Sequence, residues 1–301
     1  MSIPVSDEAL RHLQVMVDWP AIPSDQYQLE ELLGRGGMGS VYLARDNALD
    51  RLVAIKVLGS HLASPGTVER LVREAKILAR LEHPGIVPVH DVGVTPDGRP
   101  YYVMKLVKGA SLSDHVGEGL PLDASLRVFE RICEAVAFAH SHGVVHRDLK
   151  PGNIMVGAFG EVLVMDWGVA KFAEAVEPAG TVLGTPGYMS PEQARGDVAG
   201  TDHRSDVYAL GAILGLLLPE KPPAALSAIA QKAAADLPGG RYQSVAELAD
   251  DIGRFRAGEA VVAYPESILD RTRRIAGKYR VPIALVLAYV FMRMVLLLVR
   301  D

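Results

Sequence analysis

The chain has almost no capacity for covalent cross-linking, because Cys133 is its only cysteine in 301 residues. An intrachain disulfide and a multi-thiolate zinc site are thereby excluded, and a reducing cytosol suits such a chain. No cationic residue adjoins Cys133, so it reads as a buried helix position rather than a reactive thiol. A global basic excess is also missing: 31 Lys and Arg stand against 36 Asp and Glu, a formal charge of −5. No overall positive field recruits nucleic acid, which is not expected as a partner. Met1-Ser2-Ile3-Pro4 lacks a basic stretch followed by an apolar run, so no secretory signal is expected and the bulk of the protein should stay in the cytosol. What the chain does have is apolar material, 49% of its residues. That suffices for one cored domain of roughly 250 residues with short extensions.

Hydrophobic periodicity divides the chain. Residues 1–26 form an extension whose segment Asp7 to Val17 places Leu10, Leu13 and Val17 on one helical face before Pro20 and Pro23 break it. It reads as a short docking helix. Alternating or β-branched runs then predict strands at Tyr27 to Leu33, Ser40 to Arg45, Leu52 to Leu58, Ile86 to Val94 and Tyr101 to Leu106. A helix from Thr67 to Leu81 interrupts them. After Leu106 helices are predicted at Ser111 to Val116, Leu122 to His142, Ser205 to Leu218, Ala224 to Ala235 and Ser244 to Ala257.

The densest chemistry lies in His146-Arg147-Asp148-Leu149-Lys150-Pro151-Gly152-Asn153, with Asp166-Trp167-Gly168 following it. Asp148 is placed to accept a proton from a hydroxyl, Lys150 to neutralise a moving phosphoryl group, and Asn153 with Asp166 to hold magnesium. Upstream, Gly34, Gly36 and Gly39 form GxGxxG, a weak signal alone. Val41-Tyr42-Leu43-Ala44-Arg45 after them reads as a strand, whereas a dinucleotide site would place a helix there, so a hairpin lid over phosphates is favoured.

Together these motifs resemble the eukaryotic-type protein kinases, over about residues 27–257. The resemblance implies an α+β, two-lobed protein kinase fold: a five-stranded antiparallel sheet with one helix in an N-lobe over 27–106, and a mainly helical C-lobe over 107–257. It implies ATP and Mg2+ as cofactors, with Mn2+ as the alternative ion, and protein substrates. Lys56 of Val53-Ala54-Ile55-Lys56 would grip the α and β phosphates and pair with Glu74, whose rival on the same predicted helix is Glu69. Asp148, Lys150, Lys56 and Glu74 are thus the catalytic set. Leu33, Gly34, Gly36, Gly39, Val41, Ala54, Lys56, Met104, Lys105, Val107 and Met155 would bind the nucleotide, with Met104 as gatekeeper before the hinge. Each apolar member is equally compatible with ordinary core.

Gly184-Thr185-Pro186-Gly187-Tyr188-Met189-Ser190-Pro191-Glu192 resembles the end of the activation loop in bacterial serine/threonine kinases. Arg147 beside Asp148 is costly to bury unless paired, and the resemblance implies that a phosphorylated activation-loop residue supplies the opposite charge. Thr181 and Thr185 are the phosphosite candidates, Thr181 as regulatory residue or solvated bystander and Thr185 as partner of Asp148 and Lys150. Glu192 should pair with Arg241, and Asp206 should anchor the catalytic-loop backbone. A homodimer would serve autophosphorylation in trans. The alternative is a weak pseudokinase or nucleotide-binding scaffold.

Two departures stand out. Trp167 replaces the usual phenylalanine and needs a partner for its N–H if buried. After Leu218, Pro219-Glu220-Lys221-Pro222-Pro223 leaves no room for the helix that usually docks substrates, so apolar surface should be exposed. Last, Val281 to Val299 is apolar or aromatic except Pro282 and Arg293, near the length a bilayer needs at ~1.5 Å per residue. Arg271, Arg273, Arg274, Lys278 and Arg280 precede it. The expectation is a basic juxtamembrane segment over 258–280 and a single transmembrane helix over 281–299 of the inner membrane, with the catalytic lobes in the cytoplasm. A buried or partner-binding helix is the alternative, which a central arginine favours.

Overall fold

The computed structural model describes residues 19–22, 25–36, 39–58, 75–167, 171–172, 184–197 and 199–298. The expected docking helix over Asp7 to Val17, Glu69, Glu74 and Thr181 lie outside them. Five strands form one antiparallel sheet in the order β1-β2-β3-β5-β4: β1 (Tyr27–Gly36), β2 (Gly39–Asp46), β3 (Arg51–Leu58), β4 (Val89–Val94) and β5 (Pro100–Lys105). Directly paired residues share a face, so Val41, Lys56 and Tyr102 form one cross-strand row and Leu43, Ala54 and Met104 the next. The opposite face carries Tyr42, Ile55 and Val103, all buried. Ile22 packs there too, and Trp19 meets the Tyr42 ring edge-on at 5.3 Å. The N-terminal extension therefore begins to cover the outer face before the sheet starts.

The strand expected from Ile86 starts only at Val89. Pro88 has no N–H for a ladder, and Ile86 instead bridges in parallel to Val164 of the second lobe. Residues 75–78 are helical, and Ile77 and Leu78 join the main core with Leu81.

The second lobe is built on α1 (Leu112–Glu118), α2 (Leu122–Ser141), α3 (Pro191–Ala194), α4 (Arg204–Leu217), α5 (Ala224–Ala233) and α6 (Val245–Arg256). On α2, Phe129, Ile132, Cys133 and Val136 recur at helical spacing and are fully buried, which makes that helix central. Cys133 is the inert core residue expected, its thiol pushed far up by burial. Short strands lie beside these helices: β6 (Gly109–Ser111), β7 (Val144–Val145), β8 (Ile154–Gly157), β9 (Val162–Val164) and β10 (Lys171–Phe172).

The missing docking helix leaves less apolar surface than expected. Residue α4 Gly211 has no room for a side chain, since a Cβ would stand 2.7 Å from Ala234 N. That close approach seats α5 directly on α4, burying Leu210, Ile213, Leu214, Leu226 and Ile229 completely. Among the described residues of α4, Leu216 alone is a large exposed apolar side chain.

Beyond α6 the chain turns into α7 (Ile268–Lys278) and α8 (Arg280–Leu298). Helix α7 was not expected, although Ser267 and Asp270 form its capping box. Among the described residues no helix is long and apolar enough to cross a membrane. This departs from the span expected over 281–299: α8 runs unbroken through Arg293 to Leu298, but Val299 lies outside the described residues, and so do the side chains of Ile283 and residues 296–298.

Candidate active site

A cleft of about 520 Å3 opens between the sheet and the helical lobe, within the size range of small-molecule sites. Its roof is the β1–β2 hairpin. Gly39 faces the Val57 carbonyl so closely that a Cβ would lie 2.2 Å from that oxygen, so only glycine allows the hairpin to fold against β3. Gly34, Gly39, Val41, Lys56, Met104 and Met155 all line the cleft, with Asp148, Lys150, Asn153, Asp166 and Thr185 on its floor. Leu33, Ala54, Lys105 and Val107 lie outside that lining. Leu33 is half exposed, Ala54 is buried opposite Met104, and the Lys105 amide donates to the Pro88 carbonyl. Gly36 closes β1.

The floor is assembled by a hairpin. Ile154 pairs with Val164 where β8 begins and β9 ends, which sets Asn153 beside Met165, and the Met165 amide donates to the Asn153 carbonyl at 2.8 Å. Asp166 then turns into the cleft with φ at 57°, a left-handed conformation unusual for aspartate. Its Oδ1 lies 2.8 Å from Lys56 Nζ. Burial alone would push the Asp166 carboxyl up, but the charge and hydrogen bond of Lys56, with Lys150 and His146 nearby, hold it below the usual carboxylate range. Lys56 also lies over the Tyr102 ring, 5.7 Å from its centroid.

Around Asp148 the side chains are mutually engaged. Lys150 Nζ donates to Oδ2 at 2.9 Å, and the Thr185 hydroxyl donates to Oδ1 at 2.6 Å while accepting from Lys150 at 2.7 Å. Asn153 Nδ2 donates to the Asp148 carbonyl at 2.8 Å, which leaves its amide oxygen as the atom available to a cation. Gly184 sits at φ 124° with the Arg147 carbonyl 3.2 Å from where a Cβ would be, so glycine is what lets Thr185 reach the carboxylate.

Behind this layer, Asp206 on α4 accepts the amides of His146 and Arg147, both at 2.8 Å, and His140 Nε2 lies 2.8 Å from it. Burial would raise its pKa, yet these donors hold it below the carboxylate norm. His146 accepts the Asp148 amide at Nδ1, so its Nε2 carries the proton and donates to the Met165 carbonyl at 3.0 Å. The Trp167 indole lies against the His146 ring, 4.5 Å between centroids, and donates to the Val164 carbonyl at 3.3 Å. The larger ring thus finds the partner it requires. Glu192 and Arg241 form the anticipated bidentate pair at 2.6 and 2.8 Å, both fully buried. Gln193 ties α3 to the Arg147 carbonyl at 2.8 Å.

Tyr102 and His140 escaped the sequence reading. The β3–β5 register that sets Tyr102 beside Lys56 is a signal visible only once strands are paired, and nothing local marks His140.

A family model described as the protein kinase domain matches residues 27–250. The chain is 40% identical over 293 residues to the serine/threonine-protein kinase PknB of Mycobacterium tuberculosis, an overlap of 84% of this chain and 46% of that protein. It is 37% identical over 328 residues to the serine/threonine-protein kinase PknD of Chlamydia muridarum, covering 86% of this chain and 34% of that one. The chain thus spans about half or less of the length of these relatives. The crystal structure of the Mycobacterium tuberculosis PknI kinase domain superposes with a TM-score of 0.60 at 28% identity, covering 76% of this chain and 95% of that one.

Proposed function

Because the chain belongs to the protein kinase domain family, we propose that it transfers the γ-phosphoryl group of ATP to serine and threonine hydroxyls of proteins, its own activation loop among them. The observation that carries the reading is the shared geometry of Asp148, Lys150 and Thr185 opposite Lys56 and Asp166. Asp148 orients the incoming hydroxyl and accepts its proton. Lys150, already within hydrogen-bond reach of that carboxylate, lies where charge on the transferring group would develop. Lys56 holds the phosphates of ATP under the glycine hairpin, and Val41, Met104 and Met155 form an apolar wall for the base.

The donor set fits magnesium. Among the described residues no cluster of three or more His, Cys, Asp or Glu forms a protein-only cage. One ionised carboxylate, Asp166, and one free amide oxygen, Asn153, leave the other positions to water and phosphate, which is the coordination magnesium prefers. Held there by Asp166 and Asn153, that ion would neutralise negative charge on the phosphates of ATP.

We further propose that the protein sits at the inner membrane with its catalytic lobes in the cytoplasm. Supporting it, α8 exposes Leu285, Val286, Tyr289, Val290, Phe291 and Val295, apolar residues on every side of the helix. A helix apolar all round needs lipid or another protein around it. The basic residues of α7 suit the cytoplasmic face. A second copy, held in the same plane, is the natural trans substrate.

The test is phosphate transfer from Mg-ATP to the protein itself and to a generic basic protein, compared with Asp148→Asn. The variant should lose on the order of a hundredfold or more. Equal transfer by both proteins would end the proposal.

A further inference from the structure

The family match ends at residue 250, yet the next side chain is among the most buried charges of the molecule. Asp251, 1% exposed, accepts the Tyr242 hydroxyl at 2.8 Å from within the matched region. It also accepts the amides of Val262 and Ala263, at 2.7 and 3.0 Å, from beyond it. Val261 is buried in the main core, and Ala263 and Tyr264 pack against it. A second set of contacts continues outward. Arg274 of α7 makes a bidentate pair with Glu266 at 2.6 and 2.9 Å and donates to the Gly258 carbonyl at 3.1 Å, while the Tyr264 hydroxyl donates to Asp270 at 3.0 Å.

Residues 258–278 are therefore not a loose tether. A flexible segment of that length would let the lobes wander by roughly 25 Å. Here Asp251 holds the start of the segment to the catalytic lobe, and Arg274 and Asp270 tie its far end back to that start. The outward side of α7 is different: Ile268, Leu269 and Ile275 are exposed at helical spacing. Exposed Arg271 flanks them, and the sequence adds Arg273, Lys278 and Arg280. An apolar stripe bordered by cations matches an anionic lipid surface, and the helix runs directly into α8.

We infer that residues 258–278 are a rigid bracket, which seats α7 on an anionic lipid surface and holds the catalytic cleft at one height above it. The substrates it favours are then proteins whose serine or threonine is presented close to the membrane surface. Placement supplies selectivity that the absent docking helix does not. This rests on the membrane reading above.

The experiment uses the full chain and vesicles of phosphatidylcholine with a minority of phosphatidylglycerol. One serine peptide is offered free, or anchored to the vesicles through spacers of graded length. The native protein should prefer one spacer length by about tenfold or more. A Gly-Ser insertion between Tyr264 and Pro265 should flatten that profile and leave the rate on free peptide unchanged. Equal profiles for native and inserted chains would overturn the bracket while leaving membrane binding intact. Failure of the native chain to co-sediment with the vesicles would overturn the membrane reading and the bracket together. Independently of lipid, Asp251→Asn should speed hydrogen exchange at the Val262 and Ala263 amides, and unchanged exchange would refute the clamp.

Discussion

Replacing Thr185 with valine removes one hydroxyl and almost no volume, and its consequence can be worked from two distances. That hydroxyl donates to Asp148 Oδ1 at 2.6 Å and accepts from Lys150 Nζ at 2.7 Å. Both partners are charged, and a hydrogen bond to a charged group is worth about 1.5–3 kcal/mol. In Thr185→Val the lysine still has Asp148 Oδ2, but the carboxylate loses the donor that sets its rotation. If one such bond's worth of transition-state positioning is lost, kcat should fall roughly 10- to 150-fold at 1.4 kcal/mol per tenfold. The Thr185 contacts lie on the floor, away from the glycine hairpin, so the KM for ATP should change little. Steady-state phosphorylation of a peptide separates the two constants. Thr185→Ser restores the hydroxyl and should recover most of kcat. A valine variant with unchanged kcat, or a serine variant as slow as valine, would refute the reasoning. The same geometry predicts that phosphorylation of Thr185 itself is inhibitory, because a phosphate there would face the Asp148 carboxylate.

Four further outcomes follow from buried charge and packing. Arg241→Met strands the Glu192 carboxylate and should cost about 3–5 kcal/mol in urea unfolding, whereas Glu192→Leu combined with Arg241→Met should recover most of it. Glu192 is held below its ordinary pKa against burial by Arg241, so its contribution is present at neutral pH and lost as the pH falls below about 4. Asp206 follows the same sign: its folded pKa is depressed, so the stability gap between the wild type and Asp206→Asn should narrow only as the pH falls below the ordinary aspartate range, and a constant gap would contradict the network. Trp167→Phe gives up the bond to the Val164 carbonyl and some packing on His146, and should cost about 1–2 kcal/mol in thermal unfolding while phosphoryl transfer persists.

The catalytic floor was legible because its residues are nearly continuous along the chain. Asp148, Lys150 and Asn153 share one loop, and the β8–β9 hairpin that brings up Asp166 is only a few residues long. The five-stranded sheet was legible for a similar reason: alternation sets three strands within one residue of those observed, while β1 runs three residues further and β4 starts three residues later. The strands β6 to β10 were not, as runs of two to four residues carry no periodicity. Position Pro88 shortened β4 through its missing donor, a local rule that outweighs the apolar run around it. Helix α7 announced itself in Ser267-x-x-Asp270, a capping signature masked by the basic composition that follows. The closure of α4 on α5 depends on Gly211 meeting Ala234, a long-range fit with no local mark. The role of Asp251 is of the same kind: buried acids declare themselves only when their donors, here from three separate positions, are in place.

The most direct test of the central claim is mass spectrometry of the protein after incubation with Mg-ATP, for the wild type beside Asp166→Asn. The account predicts phosphate on serine or threonine of the wild type, including the activation loop, and none on the variant. Equal phosphorylation of the two, or none on either under conditions where ATP binds, would contradict it.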